Sequence, residues 1–310
     1  MANTLVTNQV IAETALASLY ESTVMLPNVY TDVTSDFANA KSGDTINIRK
    51  PAVFVAQDYN RATGLVLQDA TESTVPITLN KFKTVDFIVT TEDFALRLED
   101  LDEQLITPAT AALAEAVDLS LVGLRSDVTT EVGQVVAGDP FHQNAWNDPG
   151  VLVDAGAALN KAKVPTTDRV AVAGVGTTAA WVNSNKLTNV AASGSTEALQ
   201  EASISRLYNF DAYMSQNIGY PKAVASQVSG DPTTEVSLAF HKTAFAFASA
   251  PMEVPPGAQG YLASYKGLNL RVTWGYSMDK KGTVFSVDLL YGVKTLDPSR
   301  AVLLKGANKP

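Results

Sequence analysis

The stretch most suggestive of chemistry is Gly174-Val175-Gly176-Thr177-Thr178-Ala179. It matches G-x-G-x-x-A, the turn that lets a backbone approach a pyrophosphate at a helix N-terminus, and Glu197 follows at about the distance of a ribose-binding acid. One reading is therefore an α/β oxidoreductase with a dinucleotide site at Gly174–Gly176. Against it, the motif occurs once, mid-chain, between β-rich segments, whereas that fold needs several βαβ units. A tight strand-to-helix turn explains the glycines equally well. His142 lies in the polar run DPFHQNAWNDP and His241 in the apolar run AFHKTAFAF. Neither has a partner at a spacing that suggests nucleophilic chemistry. Glu99, Asp100, Asp102 and Glu103 lack the glycine and the periodic ligands of a calcium loop and read as a solvated helix turn. With Cys 0, disulfides and thiolate metal sites are excluded. No catalytic, cofactor-binding or metal residue is assigned.

The elements that would carry function are of another kind. Leu5, Val6, Val10, Leu16, Leu19 and Val24 space an amphipathic helix over 4–26, broken at Pro27, with nothing of its own to pack on. Thr45–Arg49, Val53–Val55, Val75–Leu79 and Thr84–Thr90 read as strands. The polar stretch between them suggests a long antiparallel hairpin with its tip near Asn60–Gly64. An isolated two-stranded ribbon is marginal in water, so a partner must cover it. Thr107-Pro108 opens the best helix, to about residue 125, with Ala109, Ala112, Leu113, Ala116, Val117, Ser120, Leu121 and Leu124 on one face.

Residues 130–235 have α/β texture: a helix from 151 to 163 behind Asp148-Pro149, a strand at Val170–Ala173, a helix capped by Thr177 or Thr178, another from Thr196, and a strand at Phe210–Ser215. The last third alternates most clearly. Leu268, Leu270, Val272, Trp274 and Tyr276, then Phe285, Val287, Leu289, Tyr291 and Val293, form a hairpin across Asp279-Lys280-Lys281-Gly282, with positive φ expected at the glycine.

The 310 residues are 46% hydrophobic and 18% charged, enough to bury a large core. The net charge of −9 argues against a protein that tracks nucleic-acid phosphates. Charge is uneven. Nine acids between Asp86 and Asp118 face Arg97 alone, and eight bases from Lys266 onward face three acids. Solvated faces explain this, as do complementary patches that meet between subunits. No run is long and apolar enough for a membrane span, and the N-terminus has no signal-peptide pattern. A cytoplasmic chain is expected.

SGDTINIRKP, KFKTVDFIVTTEDF, LAEAVDLSLVGL, AFHKTAFAFASAPMEVPPG and GLNLRVTWGYSMDKKGTVFSVDLLYGVKTLDP occur in this order. The chain thereby resembles the major capsid proteins of tailed double-stranded DNA phages, and is similar to the short-tailed-phage coat-protein branch. The resemblance implies an α+β fold with an N-terminal arm at 1–40 and an extended loop at 41–92. It implies a peripheral domain at 93–130 and 236–310, with a spine helix and an antiparallel sheet, and an axial α/β domain at 131–235. The inserted β-barrel of that branch has no room here, and no helical prodomain precedes the arm.

The function so implied is non-enzymatic self-assembly, as hexamers and pentamers, into an icosahedral shell. The shell encloses phage DNA without sequence-specific binding and without cofactors or a membrane. A separate scaffolding protein, a portal and a decoration protein would be partners. The protein would be assembled in the host cytoplasm and reside in the virion capsid. A bacterial nanocompartment shell enclosing a cargo enzyme is the alternative on the same fold. Asp58, Arg61, Asp69 and Glu72 at the loop tip, with Lys280 and Lys281 on the C-terminal hairpin, are the expected subunit contacts. No lysine lies between Gln57 and Thr74, so no loop lysine is available to crosslink subunits.

Overall fold

The computed structural model describes residues 19, 23–32, 43–50, 56, 58, 61, 73–90, 107–184, 206–265 and 267–310. Most of the helix expected over 4–26, the strand at 53–55, most of the loop tip, the acids at 99–103 and the helix from Thr196 lie outside these residues. At the end of the first segment, Leu26–Asn28 form a 3-10 turn with Pro27 as its second residue.

Strands β1 (Thr45–Lys50) and β2 (Ser73–Thr78) pair antiparallel, from Thr45 opposite Thr78 to Lys50 opposite Ser73. This is the base of the expected hairpin. Gly43 and Leu79 extend it by two further backbone hydrogen bonds. β3 (Lys81–Thr90) follows at once but belongs elsewhere. It pairs with β12 (Gly282–Thr295) from Tyr291 opposite Lys81 to Gly282 opposite Thr90. The segment 41–92 is therefore not all loop, because its last strand is part of the body.

That body sheet runs β10 (Gln259–Tyr265), β11 (Leu268–Ser277), β12, β3, and β9 (Phe245–Ser249) also pairs with β12. The expected C-terminal hairpin is β11–β12. At its turn the positive φ falls on Lys281, at 50°, and not on Gly282. Gly282 is needed for another reason: a Cβ there would meet the Val89 carbonyl oxygen at 2.6 Å, so the glycine lets β3 approach.

Helix α1 (Thr107–Val122) lies on this sheet and continues as a 3-10 turn to Asp127. Its buried face is Ala109, Thr110, Leu113, Ala114, Val117, Asp118, Leu121 and Val122. The expected stripe is thus turned by about one position. Ala112 is exposed, and Asp118, which is not part of the expected stripe, is inside. Leu113, Val117 and Leu121 share one core with Val287, Leu289 and Tyr291. The Tyr291 hydroxyl meets Ser120 Oγ at 2.9 Å.

A second sheet has the order β4 (Glu131–Val132), β13 (Ala301–Leu304), β8 (Ser237–His241), β5 (Arg169–Ala173), β7 (Phe210–Met214), β6 (Arg206–Leu207). β8 and β13 come from the segment 236–310, which the sequence reading gave to the peripheral domain. They pair into this second sheet, where their apolar runs are buried on both faces. On β5, Val170 and Val172 join the main core, while Ala171 and Ala173 face α2 (Val151–Lys161) and α3 (Val175–Val182). A continuous apolar strand buried on both sides is what a sheet covered on both sides requires. Large residues on one face and alanines on the other let α2 lie close.

Candidate functional site

The G-x-G-x-x-A motif sits where β5 turns into α3, but neither Thr177 nor Thr178 caps the helix. Glu235, two residues before β8, reaches across. Its Oε1 accepts from Gly176 N–H at 3.0 Å, and its Oε2 accepts from Thr177 N–H at 2.8 Å and from the Thr177 hydroxyl at 2.9 Å. A Cβ on Gly174 would collide with the Glu235 carboxylate, and one on Gly176 would meet it at 3.0 Å. The glycines therefore make room for a side chain. That carboxylate fills the place where a pyrophosphate would bind at the positive end of the helix. In addition, β8 lies antiparallel beside β5, unlike a dinucleotide fold. The oxidoreductase alternative loses its phosphate site.

The histidines are held locally. His142 Nδ1 meets Asp139 Oδ2 at 2.9 Å and its Nε2 meets the Glu131 carbonyl at 3.2 Å. His241 Nδ1 accepts from Thr243 N–H at 3.2 Å, which fixes the unprotonated nitrogen. Burial pushes the His241 imidazole below its ordinary value, with Arg300 and Arg169 adding to the effect and Asp168 opposing it. Among the described residues no three His, Asp or Glu side chains are grouped to hold a metal, and no helix is long and apolar enough to cross a membrane.

What remains is surface. The outer end of β11–β12 carries exposed Tyr276 and Met278, 58% and 77% accessible, beside exposed Lys280 and Lys281. A groove of about 720 Å³ runs along this end between Gln259, Trp274, Tyr276, Ser277, Thr283 and Ser286. On β3, Phe82 and Ile88 are also exposed. Beneath the tip, Trp274, Phe285 and Phe87 stack in a row with centroids 6.5 and 5.5 Å apart. Of the expected loop contacts, Asp58 and Arg61 are exposed, and Asp69 and Glu72 lie outside the described residues.

Four of the eight bases from Lys266 onward have partners within the chain. Arg271 reaches Asp288 at 2.6 Å, Lys305 reaches Glu131 at 2.7 Å, Arg300 lies 3.4 Å from Asp297, and Lys309 Nζ donates to the Gln227 carbonyl at 2.6 Å. Lys280 and Lys281 at the tip are exposed. Two features escaped sequence reasoning: the Glu235 cap and the buried Asp118, which accepts from the backbone of Val24 and Met25. Only the pair of motif glycines hinted at the first, and nothing local marked the second.

No protein-family profile and no curated protein matches the chain. Solved structures do. A chain from Mycobacterium phage Che8 is 20% identical over 91% of this chain and 90% of that one, with a TM-score of 0.63. A chain from the capsid structure of the Cyanophage P-SCSP1u is 14% identical over 86% and 85%, with a TM-score of 0.57. One from the asymmetric unit of the bacteriophage PhiM1 mature capsid is 11% identical over 88% and 85%, with a TM-score of 0.54. The chain has the mixed α and β fold found in these phage structures.

Proposed function

We propose that this chain is the major capsid protein of a tailed phage, a structural protein whose copies assemble into a closed icosahedral shell around double-stranded DNA. The observation that carries this reading is fold likeness over nearly the whole length, to structures described as phage capsids. Physical support comes from the β1–β2 pair and from the tip of β11–β12. Among the described residues β1 and β2 pair only with each other, with Ile77 and Leu79 anchoring them against Ala246, Ala248 and Leu290. The tip of β11–β12 exposes Tyr276 and Met278 next to a groove.

On this reading residues 1–40 are the arm, and the hairpin of 41–92 lies over a neighbouring subunit. The sheet of β3, β9, β10, β11 and β12, with α1, forms the peripheral domain. The sheet of β4 to β8 and β13 forms the axial domain, which meets its copies around symmetry axes. Asp58, Arg61, Asp69 and Glu72 approach Lys280 and Lys281 of the neighbour. The chemistry is association, with no covalent step. A separate scaffolding protein, a portal and a decoration protein act with it, in the host cytoplasm, to build the virion.

Sedimentation at rising concentration, with negative-stain microscopy of the fast fraction, tests this. Closed particles or rings support it. A chain that stays monomeric at high concentration, alone and when coexpressed with the products of neighbouring genes, overturns it. Nuclease-protected DNA inside native particles marks a phage shell, and a packed enzyme marks a nanocompartment.

A further inference from the structure

A groove of about 490 Å³ runs between the start of β3 and the second half of α1, bounded by Lys81, Lys83, Ala116, Leu119, Gly123 and Leu124. Its floor is open and apolar. Leu119 is 49% exposed, and a Cβ added to Gly123 would meet nothing within 4 Å. Lys81 and Lys83 stand two residues apart and so share one face of the strand, the face that further along packs Val85 and Phe87 onto the core. Among the described residues neither ammonium has a carboxylate within ion-pairing distance. The acids of α1 do not serve them: Glu115 is exposed, and Asp118 is turned inward to the backbone of Val24 and Met25. Burial, and then the neighbouring Lys83, hold the Lys81 ammonium below its ordinary value. An arriving carboxylate would relieve that repulsion.

Two like charges over an apolar floor are complemented by a segment that is acidic and apolar at once. Such a segment stands in the sequence between β3 and α1. Residues 91–106, TEDFALRLEDLDEQLI, carry Glu92, Asp93, Glu99, Asp100, Asp102 and Glu103 against Arg97, interspersed with Leu98, Leu101 and Leu105. The segment reaches its own groove poorly. The helix side of the groove is centred on Ser120, thirteen residues and about 20 Å along α1 from Thr107. Five residues of fully extended chain cover about 18 Å. Asp102 and Glu103 therefore cannot return from Thr107 to the centre, and Glu99 and Asp100 can do so only on a nearly straight chain. The same segment on a neighbouring molecule is under no such constraint.

We propose that this groove receives residues 91–106 of a second copy of the chain, with their acids against Lys81 and Lys83 and their leucines over Leu119 and Gly123. The contact rests on the assembly reading for its second copy, and it is distinct from the pairing of the loop tip with Lys280 and Lys281.

The chain has no cysteine, so introduced thiols report the contact without background. Full-length Lys83→Cys and a size-tagged Asp100→Cys are coexpressed, oxidised and run on a non-reducing denaturing gel. A disulfide-linked heterodimer is expected, several-fold stronger than when Asp100→Cys is paired with the exposed control Lys242→Cys. Adding Lys81→Glu to the Lys83→Cys chain should lower the yield several-fold at low salt. Closed particles without the heterodimer overturn the contact and leave the shell reading standing. The heterodimer without particles supports the contact and removes the shell, and the absence of both overturns both. A Lys83→Cys, Asp100→Cys double variant that closes only within one chain assigns the segment to its own groove and also overturns the proposal, as does a heterodimer yield indifferent to Lys81→Glu.

Discussion

Glu235 caps helix α3 from 59 residues away, its two carboxylate oxygens taking the backbone N–H groups of Gly176 and Thr177. The contact joins the segment leading into β8 to the turn after β5, so two strands that pair in the sheet are also fastened at one end.

Glu235→Ala should therefore cost about 1–3 kcal/mol, the range for orphaning buried donors at a helix start. Gly174→Ala should cost more than Gly176→Ala, because its Cβ lies closer to the carboxylate. Combining Gly174→Ala with Glu235→Ala should be less damaging than the two costs summed. Urea unfolding of the four variants measures this, and strict additivity would refute the crowding argument. Nicotinamide dinucleotides should leave the wild-type melting temperature unchanged.

Arg271 and Asp288 form an ion pair across β11 and β12, with side chains 17% and 4% exposed. Arg271→Ala strands the inner carboxylate and should cost about 3–5 kcal/mol. Arg271→Ala with Asp288→Asn should recover part of that loss. A single variant that unfolds like wild type in denaturant would show that water already reaches Asp288.

His241 gives acid sensitivity. Its folded pKa lies below the ordinary 6.5, chiefly through burial, so the unfolded chain binds the proton more readily. Its contribution is complete above about pH 6.5 and is lost as pH falls from there toward the folded value. His241→Gln should flatten the stability curve across that window. Chemical unfolding at a series of pH values measures this.

Reversing Lys280 and Lys281 to glutamate should lower particle yield several-fold at low salt, with added salt recovering part of it by screening the new repulsion, and reversing Asp69 and Glu72 to lysine should restore it. Wild-type assembly of the lysine variant at low and high salt would shift the hold on the loop to Leu65, Val66 and Leu67. Boiled particles should run as a single monomer band on a denaturing gel, since no lysine lies between Gln57 and Thr74. A ladder of multiples would refute that.

Period and punctuation made much of the fold legible. Strict alternation through Leu268–Tyr276 and Phe285–Val293 marked β11 and β12, and Thr107-Pro108 marked the start of α1. Periodicity says which residues share a face, not what covers it. Asp118 is polar on a helix otherwise read by its apolar stripe, and its partners are backbone groups more than ninety residues earlier. The assignment of β8 and β13 to the second sheet is likewise a matter of pairing at long range, to which local pattern is blind. The Gly174–Ala179 motif stays ambiguous in sequence because a glycine vacated for a carboxylate and one vacated for a phosphate look alike there.

β2 passes into β3 through only Leu79 and Asn80, and β3 is laced to β12 over ten residue pairs. Any tension that passes the packing of Ile77 and Leu79 against Ala246, Ala248 and Leu290 thus reaches, at its first residue, a strand held along its length. The component of the pull along that strand loads the whole ladder in shear, so its bonds must yield together and cannot unzip one after another. A hairpin gripped by its surroundings would then act as a tether whose mechanical strength comes from β12, a strand 200 residues further along the chain.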